Sequence, residues 1–233
     1  MRFRFRPALT AASLAALALL CALGTWQLQR LQWKNALVAK TQARLSSAPI
    51  ALSEALARAS AGEDMEYQPV VADGMFRHEQ AARVFSAHEG RPGVLIFTPL
   101  ETDGGLIYVN RGFVPQDLAG AAVEEGTAAR VRVEGLFRNA ERKKGFERTF
   151  AAKDQPSDNL YFLRDPRVFA SAAGSDAPPF YIDSFARNGE AEWPKGGLTR
   201  VEFANRHLEY ALTWFGLAGA LAGVYLAFSF RRD

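Results

Sequence analysis

The carboxyl-terminal stretch constrains the fold more than any other part of the chain, because it is too apolar to be exposed to water. It reads NRHLEYALTWFGLAGALAGVYLAFSF over residues 205–230, and the 21 residues from Tyr210 to Phe230 carry no charge. A helix of 21 residues is about 31 Å long, close to the hydrocarbon thickness of a bilayer. The sequence therefore predicts a transmembrane helix over residues 207–230 and a short terminus over 231–233.

This helix has two different faces. At 100° per residue, His207, Tyr210 and Trp214 share one stripe, whereas Gly219 and Gly223 lie on the opposite side. The glycines have the four-residue spacing that lets two membrane helices approach closely. We expect the glycine face to pack on another helix and the first stripe to present an imidazole and aromatic rings where the helix enters the membrane.

A second uncharged run covers residues 7–29, behind three arginines in the first six positions. It admits two interpretations, a signal peptide cleaved after Gly24 and a retained membrane helix with Trp26 at the interface. Its 23 residues favour retention, because the apolar core of a signal peptide has only about 7–15. A stripe of small residues either packs on the glycine face or arises by chance in an alanine-rich segment: Ala8, Ala11, Ala15, Ala18 and Ala22.

The charge distribution predicts the topology. Arginines flank both apolar runs on their distal sides, so the positive-inside rule puts residues 1–6 and 231–233 in the cytoplasm. Residues 30–206 then form an extracytoplasmic domain. They contain 23 Lys and Arg against 23 Asp and Glu. A neutral domain has no basic surface for nucleic acid, so we expect no nucleic-acid partner.

The central domain shows the two-residue period of β-strands. Strand-like runs occur at residues 67–76, 81–87, 93–100, 106–113, 129–138 and 180–185, and Asp103-Gly104-Gly105 is a hairpin signal. Two short helices are predicted, one over residues 52–60 with Ser53 as N-cap and one beginning at Asp165-Pro166 and ending before Gly174. The fold class is a membrane α+β protein, with two transmembrane helices flanking an antiparallel β-rich domain, open or barrel-like.

The familiar signatures of enzymes are missing from the sequence. Cys21 is the only cysteine, so a disulfide within the chain and a thiol redox pair are excluded. His78 and His88 do not have a metal-binding spacing, and there is no Gly-x-Ser-x-Gly or phosphate-binding loop. We therefore expect a protein that is not an enzyme.

His207 is the residue whose position suggests chemistry. An ionisable ring at the start of a membrane helix is either functional or an interfacial residue bonded to headgroups. Neutral imidazole is the usual axial ligand of haem iron, and Tyr210 and Trp214 follow one and two turns deeper. Trp26 and Trp33 share a face of the first helix as it continues past the membrane, and interfacial anchoring is the ordinary role of such tryptophans.

Four segments give the chain a specific family resemblance: GTWQLQRLQWK at 24–34, VNRGFVP at 109–115, PKGGLTR at 194–200 and NRHLEYALTWFGLA at 205–218. They are similar to the signatures of the surfeit locus protein 1 family. Phe113 departs from the pattern, since the family usually has tryptophan there. The resemblance implies two membrane spans and a factor that assists assembly of haem-copper cytochrome c oxidase. The basic start, without a mitochondrial-type transit peptide, favours a bacterial inner membrane with the central domain in the periplasm.

The resemblance also implies a site. Bacterial members of the family are thought to bind haem a through the histidine of the last signature, here His207. We expect His207 to ligate the iron, with Tyr210, Trp214, Trp26 and Trp33 as apolar walls. The implied partners are the catalytic subunit of the oxidase, haem A synthase and membrane lipid. The rival hypothesis is a scaffold that holds the nascent oxidase subunit and never binds haem.

Overall fold

The computed structural model describes residues 2–3, 6–119, 129–142, 152–185, 193–198 and 205–231. The predicted cytoplasmic termini and the end of the PKGGLTR segment lie partly outside these residues. The chain divides into two compact units. The helix unit comprises Met1–Gln42 and Glu202–Asp233, and the sheet unit comprises Ala43–Val201.

Two long helices dominate the helix unit. Helix α1 covers Pro7–Leu45 and belongs to this unit as far as residue 42, and the last helix, α4, covers His207–Ser229. Both are long and apolar enough to cross a membrane. The 39 residues of α1 extend about 58 Å, which confirms that it continues beyond residue 29. Strand β1, Arg2–Phe3, pairs antiparallel with β10, Phe230–Arg231.

The face of α4 that packs on α1 is the opposite of the one predicted. An added Cβ at Gly216, Gly219 or Gly223 would meet nothing within 4 Å, so the glycine face is open. The alanine stripe of α1 is exposed as well. Instead, most of the less exposed positions of α4 recur at spacings of four and three, as in left-handed helix pairs. They include both aromatic rings and small residues: His207, Ala211, Trp214, Ala218, Leu221, Tyr225 and Ser229.

The helices approach each other through Gly24 of α1. A Cβ at this buried position would lie 2.7 Å from the end of the Phe215 ring of α4, so the ring would have to move to admit a larger residue. Two hydrogen bonds lie on either side of this contact. One joins the Thr10 and Tyr225 hydroxyls at 2.8 Å, and the other joins the side chains of Asn35 on α1 and Asn205, two residues before α4, at 2.8 Å. The pair is antiparallel, and large side chains of α4 fill the space that small residues leave on α1.

The sheet unit contains eight strands: β2 (Ile50–Ala51), β3 (Pro69–Phe76), β4 (Ala82–His88), β5 (Arg91–Thr102), β6 (Gly105–Pro115), β7 (Arg130–Asn139), β8 (Leu160–Tyr161) and β9 (Phe180–Ser184). They form one sheet in the order β2-β3-β7-β9-β6-β5-β4-β8, with an additional pairing of β3 with β5. Barrel-like closure remains a prediction.

The sheet is mixed, so the prediction of an antiparallel sheet is wrong for three strand pairs. β2 with β3, β4 with β8, and β6 with β9 are parallel. Parallel neighbours need a crossover connection of about a dozen residues or more, and each of these pairs has one. The remaining pairs are antiparallel, including the β5–β6 hairpin, whose turn at Asp103-Gly104 was predicted.

Both helices predicted in this unit are present, but one of the two predicted N-caps is wrong. Helix α2, Leu52–Ser60, follows Ala51, which caps it without a side-chain bond, so Ser53 lies inside the first turn. Helix α3, Pro166–Ala172, begins as predicted, because the Asp165 carboxylate accepts from the Arg167 backbone N–H at 3.1 Å.

Two of the three groups of buried apolar side chains in the described sheet unit join its short helices to the sheet. One joins α2 to the sheet and includes Leu52, Val70 and Phe137. The other is aromatic and joins α3 to it through Phe97, Tyr108, Phe113, Phe169 and Tyr181. The central signature segment, VNRGFVP in β6, supplies residues to both groups and is therefore fixed by the core.

Candidate functional site

The central signature contains a β-bulge at Arg111. Ile96 of β5 pairs with Gly112 and Phe97 pairs with Asn110, which leaves Arg111 as the extra residue. The buried Asn110 supports the bulge, because its Oδ1 accepts from the Gly112 N–H at 3.1 Å and its Nδ2 donates to Asp183 Oδ1 at 2.8 Å. Bulges re-aim a side chain out of the regular ladder.

Gly112 is required at this bulge. Its φ of +128° belongs to a region that side chains other than glycine rarely adopt. An added Cβ would also overlap the backbone carbonyl of Lys195. The next residue, Phe113, exchanges two backbone hydrogen bonds with Lys195, at 3.0 and 2.9 Å. Gly112 therefore serves the backbone and lets residue 195 lie against β6.

An ion network lies beside the signature. Arg138 of β7 donates from Nε to Glu66 at 2.7 Å and from NH1 to Asp183 at 3.3 Å, and its guanidinium lies 4.6 Å from the centre of the Tyr67 ring. Burial raises the pKa of Tyr181, although Arg138 opposes that shift. Because Asp183 also binds Asn110, the network connects β7 and β9 to the bulge.

Arg111 lies beside an imidazole. Its NH1 is 3.3 Å from Nδ1 of His78, and its guanidinium is 5.5 Å from the centre of the Phe76 ring. Burial, and then the charge of Arg111, lower the pKa of His78, and Glu79 opposes them. A neutral imidazole is therefore the favoured neighbour of this guanidinium.

A polar cavity of about 280 Å³ opens next to Phe113 and the ion network. His88 and Arg164 also line it, and the His88 ring packs at 5.6 Å on Phe113. Among the residues that the structure describes, no three His, Cys, Asp or Glu side chains are grouped to hold a metal ion. The cavity therefore does not define a metal site within the described part of the sheet unit.

His207 forms the other candidate site, at the start of α4 in the helix unit. The ring is half-buried, and its Nδ1 lies 2.7 Å from the amide oxygen of Gln27 on α1. Gln27 is 9% exposed, which makes it one of the two buried positions of α1. An imidazole and an amide from opposite ends of the chain thus meet between the two helices.

The other predicted site residues differ in how deeply they are buried. Trp214 is half-buried on the same face of α4 as His207, whereas Tyr210 is half-exposed one turn away. Trp26 and Trp33 are half-exposed on α1, and the Arg30 guanidinium stacks 4.5 Å from the centre of the Trp33 ring. Within the described ranges, no ring-to-ring contact joins either tryptophan to His207, and the wall of indoles stays a prediction.

Sequence reasoning missed Gln27, because its neighbour Trp26 carries the more familiar signal of a membrane interface. A signal was present. Gln27 follows Leu17, Leu20 and Gly24 at spacings of three and four, which places this polar side chain on the face that packs against another helix. An amide at a buried helix contact requires a polar partner, and His207 provides it.

Two apolar helices precede and follow a mixed β-sheet unit in the sequence, and an imidazole–amide pair joins the two helices. These features define a class of protein with two candidate membrane spans. The model of the SURF1 family matches residues 14–219. The chain belongs to this family.

Named relatives are similar in sequence to most of this chain. A SURF1-like protein of Monosiga brevicollis is 34% identical over 223 residues, which cover 88% of this chain and 81% of the relative. Surfeit locus protein 1 of Mus musculus is 31% identical over 229 residues, or 90% and 72% of the two chains. The Homo sapiens protein of that name is 31% identical over 218 residues, or 85% and 70%.

Proposed function

We propose that the chain is a membrane-bound assembly factor for haem-copper cytochrome c oxidase, which binds haem a through His207 and assists its insertion into the catalytic subunit. The observation that carries the proposal is the place of this imidazole, half-buried at the first residue of an apolar helix and bonded across to α1. An ionisable ring at the start of a membrane helix indicates a function by default.

The donor chemistry fits haem. Neutral imidazole is a common axial ligand of haem iron, and one ring nitrogen of His207 is already engaged by Gln27. When bound, haem a supplies a redox-active iron in a large apolar ring. Trp214 and Tyr210 lie two turns and one turn beyond His207 and offer aromatic surface to such a ring. Trp26 and Trp33 of α1 would add apolar surface for such a ring.

The proposed setting is a bacterial inner membrane. Helices α1 and α4 cross the bilayer, the sheet unit lies in the periplasm and both termini lie in the cytoplasm. The supports are the apolar length of the two helices and the arginines at their distal ends. Exposed apolar side chains on both helices, such as Leu19, Leu212 and Phe228, then contact lipid instead of water.

The test is the haem a content of the purified full-length chain after co-expression with haem A synthase. We expect the wild type to carry haem a with an axial-histidine spectrum, and His207→Ala to lose most of it. His78→Ala in the sheet unit is the matched control and should retain it.

Equal haem content in wild type and His207→Ala would reject the assignment of the ligand. A wild type without haem, which still associates with the oxidase subunit, would favour the rival hypothesis of a scaffold that never binds haem. Topology is tested separately by reporter fusions at both termini, and a periplasmic terminus would contradict the proposed arrangement.

A further inference from the structure

Gln27 has a more specific role than joining the two helices, and the chemistry of its contact with His207 indicates that role. The atom nearest to Nδ1 of His207 is the amide oxygen, at 2.7 Å. An oxygen of this kind can only accept, so Nδ1 carries the hydrogen. In a neutral ring the lone pair then belongs to Nε2, because only one of the two nitrogens is protonated.

The geometry points to Gln27 as the positioning residue of the haem ligand, which fixes the tautomer and the plane of the His207 ring so that Nε2 is free to bind iron. This inference rests on the proposed function. Histidines that bind metals commonly donate the hydrogen of the other nitrogen to an acceptor, which orients the ring and strengthens it as a ligand.

Two other polar contacts of the described helix pair do not have this property. Thr10 with Tyr225 joins two hydroxyls, and Asn35 with Asn205 joins two exposed amides. Either contact can hold the helices in register without affecting an imidazole. Gln27 is buried, and burial of an amide costs free energy unless its hydrogen bond is made. Its bond to His207 is therefore maintained in the folded protein.

The first test does not require haem. The full-length protein, without haem, is labelled with ¹⁵N in its histidines and placed in lipid nanodiscs, and His207→Ala assigns the resonances of His207. We expect the wild-type ring to be in the Nδ1–H tautomer. Gln27→Leu, which keeps the volume and removes the acceptor, should shift the ring towards Nε2–H. Gln29→Leu, an exposed glutamine on the same helix, should leave it unchanged.

The second test uses the haem-loaded protein. Gln27→Leu should weaken haem a binding about 10- to 100-fold, the usual effect of losing such a partner, while Gln29→Leu stays at the wild-type value. Gln27→Glu is the conservative variant. Its carboxylate also accepts from Nδ1–H, so binding should be rescued, and the more basic ligand should lower the midpoint potential of the haem.

The outcomes distinguish the positioning role of Gln27 from the proposed binding of haem by His207. An unchanged tautomer in Gln27→Leu would overturn the positioning role, whatever the haem content. Loss of haem from Gln27→Leu with no rescue and no change of potential in Gln27→Glu would also overturn it, since a role in helix packing alone predicts that result. If the tautomer shifts as expected but His207→Ala keeps its haem, the proposed function fails while the control of the ring by Gln27 stands.

Discussion

Replacing Gly112 by alanine should unfold the sheet unit at markedly lower temperature or denaturant concentration. Two costs add. A residue with a side chain at φ +128° has backbone strain of about 1–3 kcal/mol. The new methyl group also overlaps the carbonyl of Lys195, so the chain must move away and loses the two hydrogen bonds between Phe113 and Lys195.

Each of those bonds contributes about 0.5–1.5 kcal/mol net. Together with the strain, the free energy of unfolding should fall by about 2–6 kcal/mol. For a chain of this size, 1 kcal/mol corresponds to roughly 2–4 °C in the melting temperature, so the expected decrease is at least about 4 °C. The expected loss of stability is large because the new methyl group meets the backbone of Lys195, which cannot rotate away as a side chain can.

The assay is thermal and denaturant unfolding of the full-length chain in detergent, followed by near-ultraviolet circular dichroism. The matched control is Gly104→Ala in the β5–β6 turn, where the nearest atom to an added Cβ is Thr102 Oγ1 at 3.8 Å. The control should change stability by less than about 0.5 kcal/mol. If Gly112→Ala is no less stable than Gly104→Ala, then the contact with residue 195 does not hold this strand and the reasoning is refuted.

Two further predictions concern charges of the sheet unit. Arg138→Met should lower the free energy of unfolding by about 3–5 kcal/mol, because it removes a buried guanidinium that pairs with both Glu66 and Asp183, whose side chain is only 8% exposed. Arg132→Met, at an exposed ion pair, is the control and should cost under about 1 kcal/mol in the same assay. His78 should make stability depend on pH: burial and then Arg111 lower its folded pKa, so the unfolded state binds more protons below about pH 6.5, and the free energy of unfolding falls as the pH decreases through that value. Urea titrations between pH 7.5 and 5.5 measure this, and a slope that His78→Gln leaves unchanged would contradict the assignment.

Local patterns predicted the elements of this fold but not their neighbours. The strands at residues 69–76 and 105–115 were found from a two-residue period, which depends only on which side chains face the core. The same period says nothing of the partner strand. β9 inserts between β6 and β7 and runs parallel to β6, because the long connection from Pro115 to Phe180 lets the chain return in that direction.

The packing face of α4 was predicted wrongly for a related reason. Gly219 and Gly223 match the spacing of close helix contacts, but spacing alone does not supply a partner surface. The small residue that decides the approach is Gly24, on the other helix, where it accommodates the Phe215 ring. A large side chain opposite a glycine gives the same close packing as two facing glycines, and one helix examined alone cannot distinguish the two.

The candidate site was half predictable. His207 could be found from its position at the end of an apolar run, whereas Gln27 is 180 residues away in the chain and became recognisable only when the helices were paired. Contacts over such separations are fixed by helix register, which depends on every side chain in the interface. This is why His207 was singled out from the sequence and its hydrogen-bond partner was not.

The family signatures therefore divide between two physical roles. The first and last signatures meet within the helix unit, through Gly24 with Phe215 and Gln27 with His207. The central signature is in the sheet unit, where Gly112 shapes a bulge in β6. Variants of the central segment should act first on the stability of the sheet unit, whereas variants of the Gln27–His207 pair should change the proposed haem site and leave that stability intact. Measuring unfolding and bound haem on the same variants tests this division, because the proposed function predicts loss of haem without loss of stability for variants of the Gln27–His207 pair.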